Sequence, residues 1–119
     1  MKHSIGVSVA AGTNEEVVAI IPSGYLAIVY LIYVANTNGS TGEYTLQWQH
    51  SHDLTHKIRI AKGKSLGAGE ADQYSNGELI LQSEDLILFS CSVDMDIIIT
   101  LDFVPSPIVN AFEQDDTEE

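Results

Sequence analysis

The residues best placed to do chemistry lie in the stretch Trp48 to His56, where His50, His52 and His56 fall within seven positions and Asp53 stands among them. On a strand, residues two apart point to the same side about 6.6 Å from each other, so His50 and His52 can both reach one metal ion. Two imidazoles are only a beginning: zinc, iron and manganese sites need further protein donors. His56 or Asp53 would have to supply them from what reads as the loop after the strand, and nothing in Asp53-Leu54-Thr55 fixes that geometry. The favoured reading is structural. Trp48 ends a core-facing row, and His50 and His52 continue it toward the sheet edge, where their polar tips meet water. No metal or other cofactor is expected.

Other constellations are weaker still. The cupins, metal enzymes on a jelly roll, carry a comparable H-x-H motif, but here the spacing from Gly42 to His50 is too long. No Glu follows His52 at the required distance, and no histidine follows His56. There is no G-x-S-x-G elbow, and Cys91 sits in an apolar run with no base beside it. The glycines of Gly63 to Gly69 match no phosphate loop, because Lys64 comes too early and no helix follows. Asp94 and Asp96 flank Met95 without the rest of a calcium loop. These absences point away from an enzyme.

The elements that position these residues are strands. Ile5, Val7 and Val9 alternate with Ser4, Gly6 and Ser8, and period-two patterning recurs to the end of the chain without sustained helical periodicity. Strands are expected over 17–21, 25–35, 44–51, 57–61, 78–82, 86–93 and 96–104. The segment 36–43 reads as the tip of a hairpin joining the third and fourth strands, and most of 63–77 reads as loop, with a short pairing at Ser65 and Leu66. Some eight short strands spaced by Gly, Asn and Asp turns define the fold class: all-β, an antiparallel β-sandwich of jelly-roll type. The expected organisation is a sandwich domain over 1–105, followed by an apolar arm and an acidic tail over 106–119.

Charge narrows the partners. Seventeen acids against five bases give a net charge of −12, a field that repels nucleic acid phosphates. Four of the five bases nevertheless crowd together at Lys57, Arg59, Lys62 and Lys64. The longest apolar run, residues 25–35, falls short of the roughly 20 residues a membrane helix needs. Gly and Ser break up the apolar residues near the start and acids follow at once, so no signal peptide and no membrane association are expected.

That run also bears on assembly. A sandwich strand should be polar on one side, yet Ala27, Val29, Leu31 and Tyr33 are as apolar as Leu26, Ile28, Tyr30, Ile32 and Val34. The row Val29, Leu31, Tyr33 is therefore expected at an interface, together with Ile108, Val109 and Phe112 of the arm. The cover is either the apolar arm of the same chain or another subunit; the favoured reading is a second copy of the chain, in a closed homo-oligomer such as a trimer.

Taken in order, the pieces resemble a known group. Ile21-Pro22-Ser23-Gly24, the strand ending in Ala35-Asn36-Thr37, Thr45-Leu46-Gln47-Trp48, the basic strand, and Gly77 to Ser90 are similar to the small all-β structural proteins of tailed bacteriophage virions. The likeness covers about residues 15 to 104; where that group carries Gly-Asp before the last hairpin strand, this chain has Glu84-Asp85. The resemblance implies a head decoration or cement protein, or a tail component, that is made in the host cytoplasm and binds a major capsid protein or another virion lattice. It implies no catalytic residues. Two alternatives stand beside it: a monomeric carbohydrate-binding module stacking sugars on Tyr44, Trp48 and Tyr74, and a divergent metal enzyme built on His50, His52 and His56.

Overall fold

A computed structural model describes residues 2–12, 14–50, 57–75 and 79–106. Nine strands account for most of them: β1 (Lys2–Val9), β2 (Glu16–Ile20), β3 (Tyr25–Ala35), β4 (Gly42–Gln49), β5 (Lys57–Leu66), β6 (Ala71–Tyr74), β7 (Leu79–Leu81), β8 (Leu86–Cys91) and β9 (Met95–Pro105). They form two antiparallel sheets packed as a sandwich, so the expected all-β class holds. One sheet has the order β1-β9-β3-β6, with the short β7 also paired to β3; the other has the order β2-β8-β4-β5.

The connections differ from the simplest reading of the turns. β3 and β4 lie in different sheets, as do β7 and β8, so neither pair is the hairpin that its short linker suggests. What looked like hairpin tips are crossings between layers. The segment after Gly63 is also richer in strand than its glycines imply: β5 runs on to Leu66, and β6 follows. β5 absorbs its irregular residues as bulges opposite β4, between Tyr44 and Leu46 and again between Leu46 and Gln47.

The core is built from alternate residues of both inner faces. Met95, Ile97, Ile99 and Leu101 of β9 meet Leu46, Ile87, Phe89 and Cys91 of the other sheet, all at most 3% exposed. Tyr44 and Phe89 stack with ring centroids 5.6 Å apart. Truncating any of these large side chains to Ala is expected to cost about 2–5 kcal/mol.

β3 breaks its own alternation. Val29 pairs with Leu101 but Leu31 already pairs with Thr100, so Tyr30 is an extra residue with no place in the register. The inward parity switches there, from Ala27 and Val29 before the bulge to Ile32 and Val34 after it. A strand that changes parity midway needs apolar residues at both odd and even positions. The apolar run at 25–35 therefore has a cause within one subunit, in addition to any interface.

Two polar clusters lock the layers. Asn36 is 1% exposed; its Nδ2 donates to the carbonyls of Ser40 and Leu66, each at 2.9 Å, and its Oδ1 accepts from the Asn38 amide. Its backbone completes the junction with Glu70 and Gly69. One buried amide thus fixes both crossings at this end. Across the sandwich, the Tyr44 hydroxyl donates to Asp72 Oδ2 at 2.6 Å, and Lys64 Nζ reaches the same oxygen at 3.1 Å. A hydroxyl has one proton to give, so Tyr74, also bonded to Tyr44, is the donor in that pair.

Burial, followed by the bond to Asp72, pushes the Tyr44 phenol well above its ordinary range. Burial likewise raises the Cys91 thiol, and the bond to Asp72 raises Lys64. For Tyr44 the folded state keeps a proton that the unfolded chain releases above about pH 10, so this stabilisation is complete below that pH and is lost as pH rises beyond it. Urea titrations between pH 7 and 11 should show stability falling in alkali. Tyr44→Phe should begin lower, because Asp72 loses a donor, and fall less steeply; equal slopes for the two proteins count against this account.

Candidate functional site

The outer face of the β1-β9-β3-β6 sheet is the site the sequence pointed to, with altered membership. Val29 is 3% exposed and lies in the core, because it precedes the bulge, so it does not belong to an outer-face row. Leu31 and Tyr33 follow the bulge and are half-buried, opposite Thr100 and Ile98 on β9. Leu26 and Ile28 join them on this face, opposite Val104 and Asp102, and Ile80 extends it from β7 opposite Ile28. Ile80 is 51% exposed and Ile98 39%. Lys2 Nζ stands 4.3 Å from the centroid of the Tyr30 ring, a cation–π contact at the bulge. Ile108, Val109 and Phe112 lie outside the described residues.

Of the histidine cluster, His50 alone is described; His52, Asp53 and His56 fall in 51–56, outside the described residues. Among the described residues, no three His, Cys, Asp or Glu side chains are grouped as metal ligands. His3 is on β1 with its ring beside that of Phe103. Asp94 accepts from the Ala11 amide at 2.7 Å, which gives it a structural part.

His50 turns instead toward Asp85, the residue that sequence reasoning passed over. The Asp85 carboxyl is fully buried at 0% exposure. It accepts from Trp48 Nε1 at 2.9 Å, from the Gln82 amide at 2.8 Å, and from His50 Nδ1 at 2.8 Å. With the Asp85 carboxyl ionised, His50 carries the hydrogen on Nδ1, because a carboxylate only accepts. The backbone of Asp85 extends the network: its amide donates to Gln82 and its carbonyl accepts from Ile21. Glu84 donates to Ile21, Gly24 donates to Ser83 Oγ, and Ser106 donates to the Gly24 carbonyl. The turn between β7 and β8, the turn before β3, the end of β4 and the end of β9 are thereby joined at one end of the sandwich.

Glu84 has φ +68° in this turn, a left-handed conformation that favours glycine. Glu84-Asp85 thus has the backbone shape that a Gly-Asp pair would take without strain. The sequence signal for the hub was an acid flanked by strands of almost wholly apolar residues.

The aromatic platform for sugars is not present on these three residues. Tyr44 is 1% exposed, Trp48 packs on the core with its indole N–H given to Asp85, and Tyr74 is half-buried against Tyr44.

No family model matches the chain, and no curated protein matches it. A solved chain from the acidic stable capsid structure of Helicobacter pylori bacteriophage KHP30 shares the fold, with a TM-score of 0.57 over 88% of this chain and 89% of that one. Sequence identity is 10%, so the likeness is one of backbone path.

Removing the buried carboxylate leaves three donors without an acceptor. Asp85→Ala is expected to lower stability by about 3 kcal/mol or more, and His50→Ala by about 1 kcal/mol, its ring being partly in water. Glu84→Gly should gain up to about 1 kcal/mol from relief of the left-handed strain. Urea midpoints measure all three, and an unchanged midpoint for Asp85→Ala removes the hub from this description.

Proposed function

We propose that this chain is a non-enzymatic structural protein of a bacteriophage virion, most specifically a head decoration or cement protein that binds the capsid lattice as a homo-oligomer. The observation that carries this reading is the group of apolar side chains on the outer face of one sheet, Leu26, Ile28, Leu31, Tyr33, Ile80 and Ile98, beside the polar Thr100 and Asp102. Patches of this kind on a small sandwich mark protein contacts. Three further observations support it. All the connections between successive strands except β4–β5 and β6–β7 cross from one sheet to the other, as a double-sheet sandwich requires; a phage capsid chain shares the fold; and Ile108, Val109 and Phe112 give the C-terminal segment apolar side chains for the same interface.

The roles divide by chemistry. Leu31 and Tyr33 supply apolar area to a second copy, while the acidic surface of the assembled ring or cluster favours basic patches on a major capsid protein. Repetition of the lattice lets weak individual contacts sum to stable binding. Localisation in the virion follows from that role.

Native mass spectrometry of the purified chain tests the assembly. A closed oligomer, with a trimer as one form, is the expected result at micromolar concentration, free of metal. Leu31→Glu and Tyr33→Glu should each shift it to monomer while leaving thermal stability nearly unchanged. Val29→Glu should unfold the chain instead, because it places a charge in the core. A wild-type monomer sinks the interface, and a stoichiometric bound metal returns the histidines to the centre.

A further inference from the structure

β5 is the edge of its sheet: β4 pairs with one side, and among the described residues no strand pairs with the other. Edge strands of this length expose unmade backbone hydrogen bonds that natural proteins cover or guard with charge. β5 holds four of the five bases of a chain with net charge −12. Two of them are engaged by acids of the same chain, Lys57 with Glu15 at 3.1 Å and Lys64 with Asp72 at 3.1 Å. Arg59 and Lys62, both exposed, have no ion pair among the described residues. On an open edge, two bases with no acid partner among the described residues suit a carboxylate-rich segment.

Such a segment is encoded a few residues beyond the end of β9. Glu113, Asp115, Asp116, Glu118 and Glu119 are five acids in the last seven positions. The described chain leaves the sandwich at the right end. Pro105 pairs with Tyr25, Ser106 donates to Gly24, and that turn is tied through Ser83 and Asp85 to Trp48 and His50. Gln49, between those two residues, pairs with Lys57 at the start of β5. The residues from 107 to 112 span at most about 20 Å when extended. Sheets lie about 10 Å apart and strands about 4.8 Å, so β5 is within reach of the same chain.

We propose that the acidic segment 113–119 docks on β5 of its own chain, with its carboxylates on Arg59 and Lys62. Tethering gives it a high effective concentration there, and screening by salt should release it. The docking does not depend on the assembly proposed above, but it acts on it. A tail held on β5 keeps Ile108, Val109 and Phe112 with their own subunit, and a basic partner that draws the tail away frees them.

Carbodiimide coupling of the full chain, which joins carboxylates to amines already in contact, tests this at low ionic strength with peptide mass mapping. Lys57–Glu15 and Lys64–Asp72 serve as internal controls, since both pairs are in contact in the fold. The expected result is coupling of Lys62 to acids of 113–119, lost in molar salt, and confined to single chains when isotopically light and heavy protein are mixed. Control links without tail links overturn the proposal. So do tail links that go to Lys2 instead of β5, or that join light chains to heavy ones. Arg59→Gln with Lys62→Gln supplies a second readout: removal of the bases should make 113–119 more rapidly cleaved by Glu- and Asp-directed proteases, and an unchanged rate counts against docking.

Discussion

One end of this sandwich is organised around a single carboxyl group with no contact with water. Asp85 has 0% exposure, and burying a carboxylate is costly unless its lone pairs are filled. Here Trp48, His50 and the Gln82 amide fill them. Because those donors come from β4, the segment after it, and the β7–β8 turn, meeting the needs of one side chain fixes the relative positions of both sheets. The backbone bonds to Ile21 then bring in the turn that launches β3. A hydrophobic core tolerates small shifts; three directional bonds to one carboxylate do not.

Much of the fold was legible because strands announce themselves by alternation and by what interrupts it. The strands expected over 25–35, 86–93 and 96–104 follow in this way, and they are found over Tyr25–Ala35, Leu86–Cys91 and Met95–Pro105. The layer to which each strand belongs was not legible. A short linker with Asn and Gly serves equally as a hairpin turn or as a crossing, and the difference is made by Asn36, whose buried amide bonds to Leu66, thirty residues away in sequence. No local pattern carries that information. β5 and β6 are hidden for a similar reason: Gly63 adopts φ +56° inside the irregular part of β5, and in sequence the same glycine has the look of a loop residue.

Which residues of β3 face outward was legible only in part. Leu31 and Tyr33 are on the outer face as the doubly apolar strand suggested, but Val29 is inside because the extra residue Tyr30 reverses the alternation. One inserted residue moves every later side chain to the opposite face, and a bulge leaves no mark in composition. The histidines drew attention as chemical groups, whereas the residue that gives His50 its orientation was an ordinary aspartate in an apolar neighbourhood. Its burial is a property of the assembled sheets, and sequence proximity does not report it.

The pairing of β1 with β9 has a consequence for how the protein comes into being. Lys2 lies opposite Asp102, and Val9 opposite Met95, so β1 waits for β9 before it has a neighbour in its sheet. β9 is also the bridge between β1 and β3, and that sheet remains two separate parts until β9 has been made. Chains whose contacts join distant positions fold slowly and expose sticky edges while they wait. The excess of acids over bases acts in that interval too, holding unfinished copies apart through mutual repulsion.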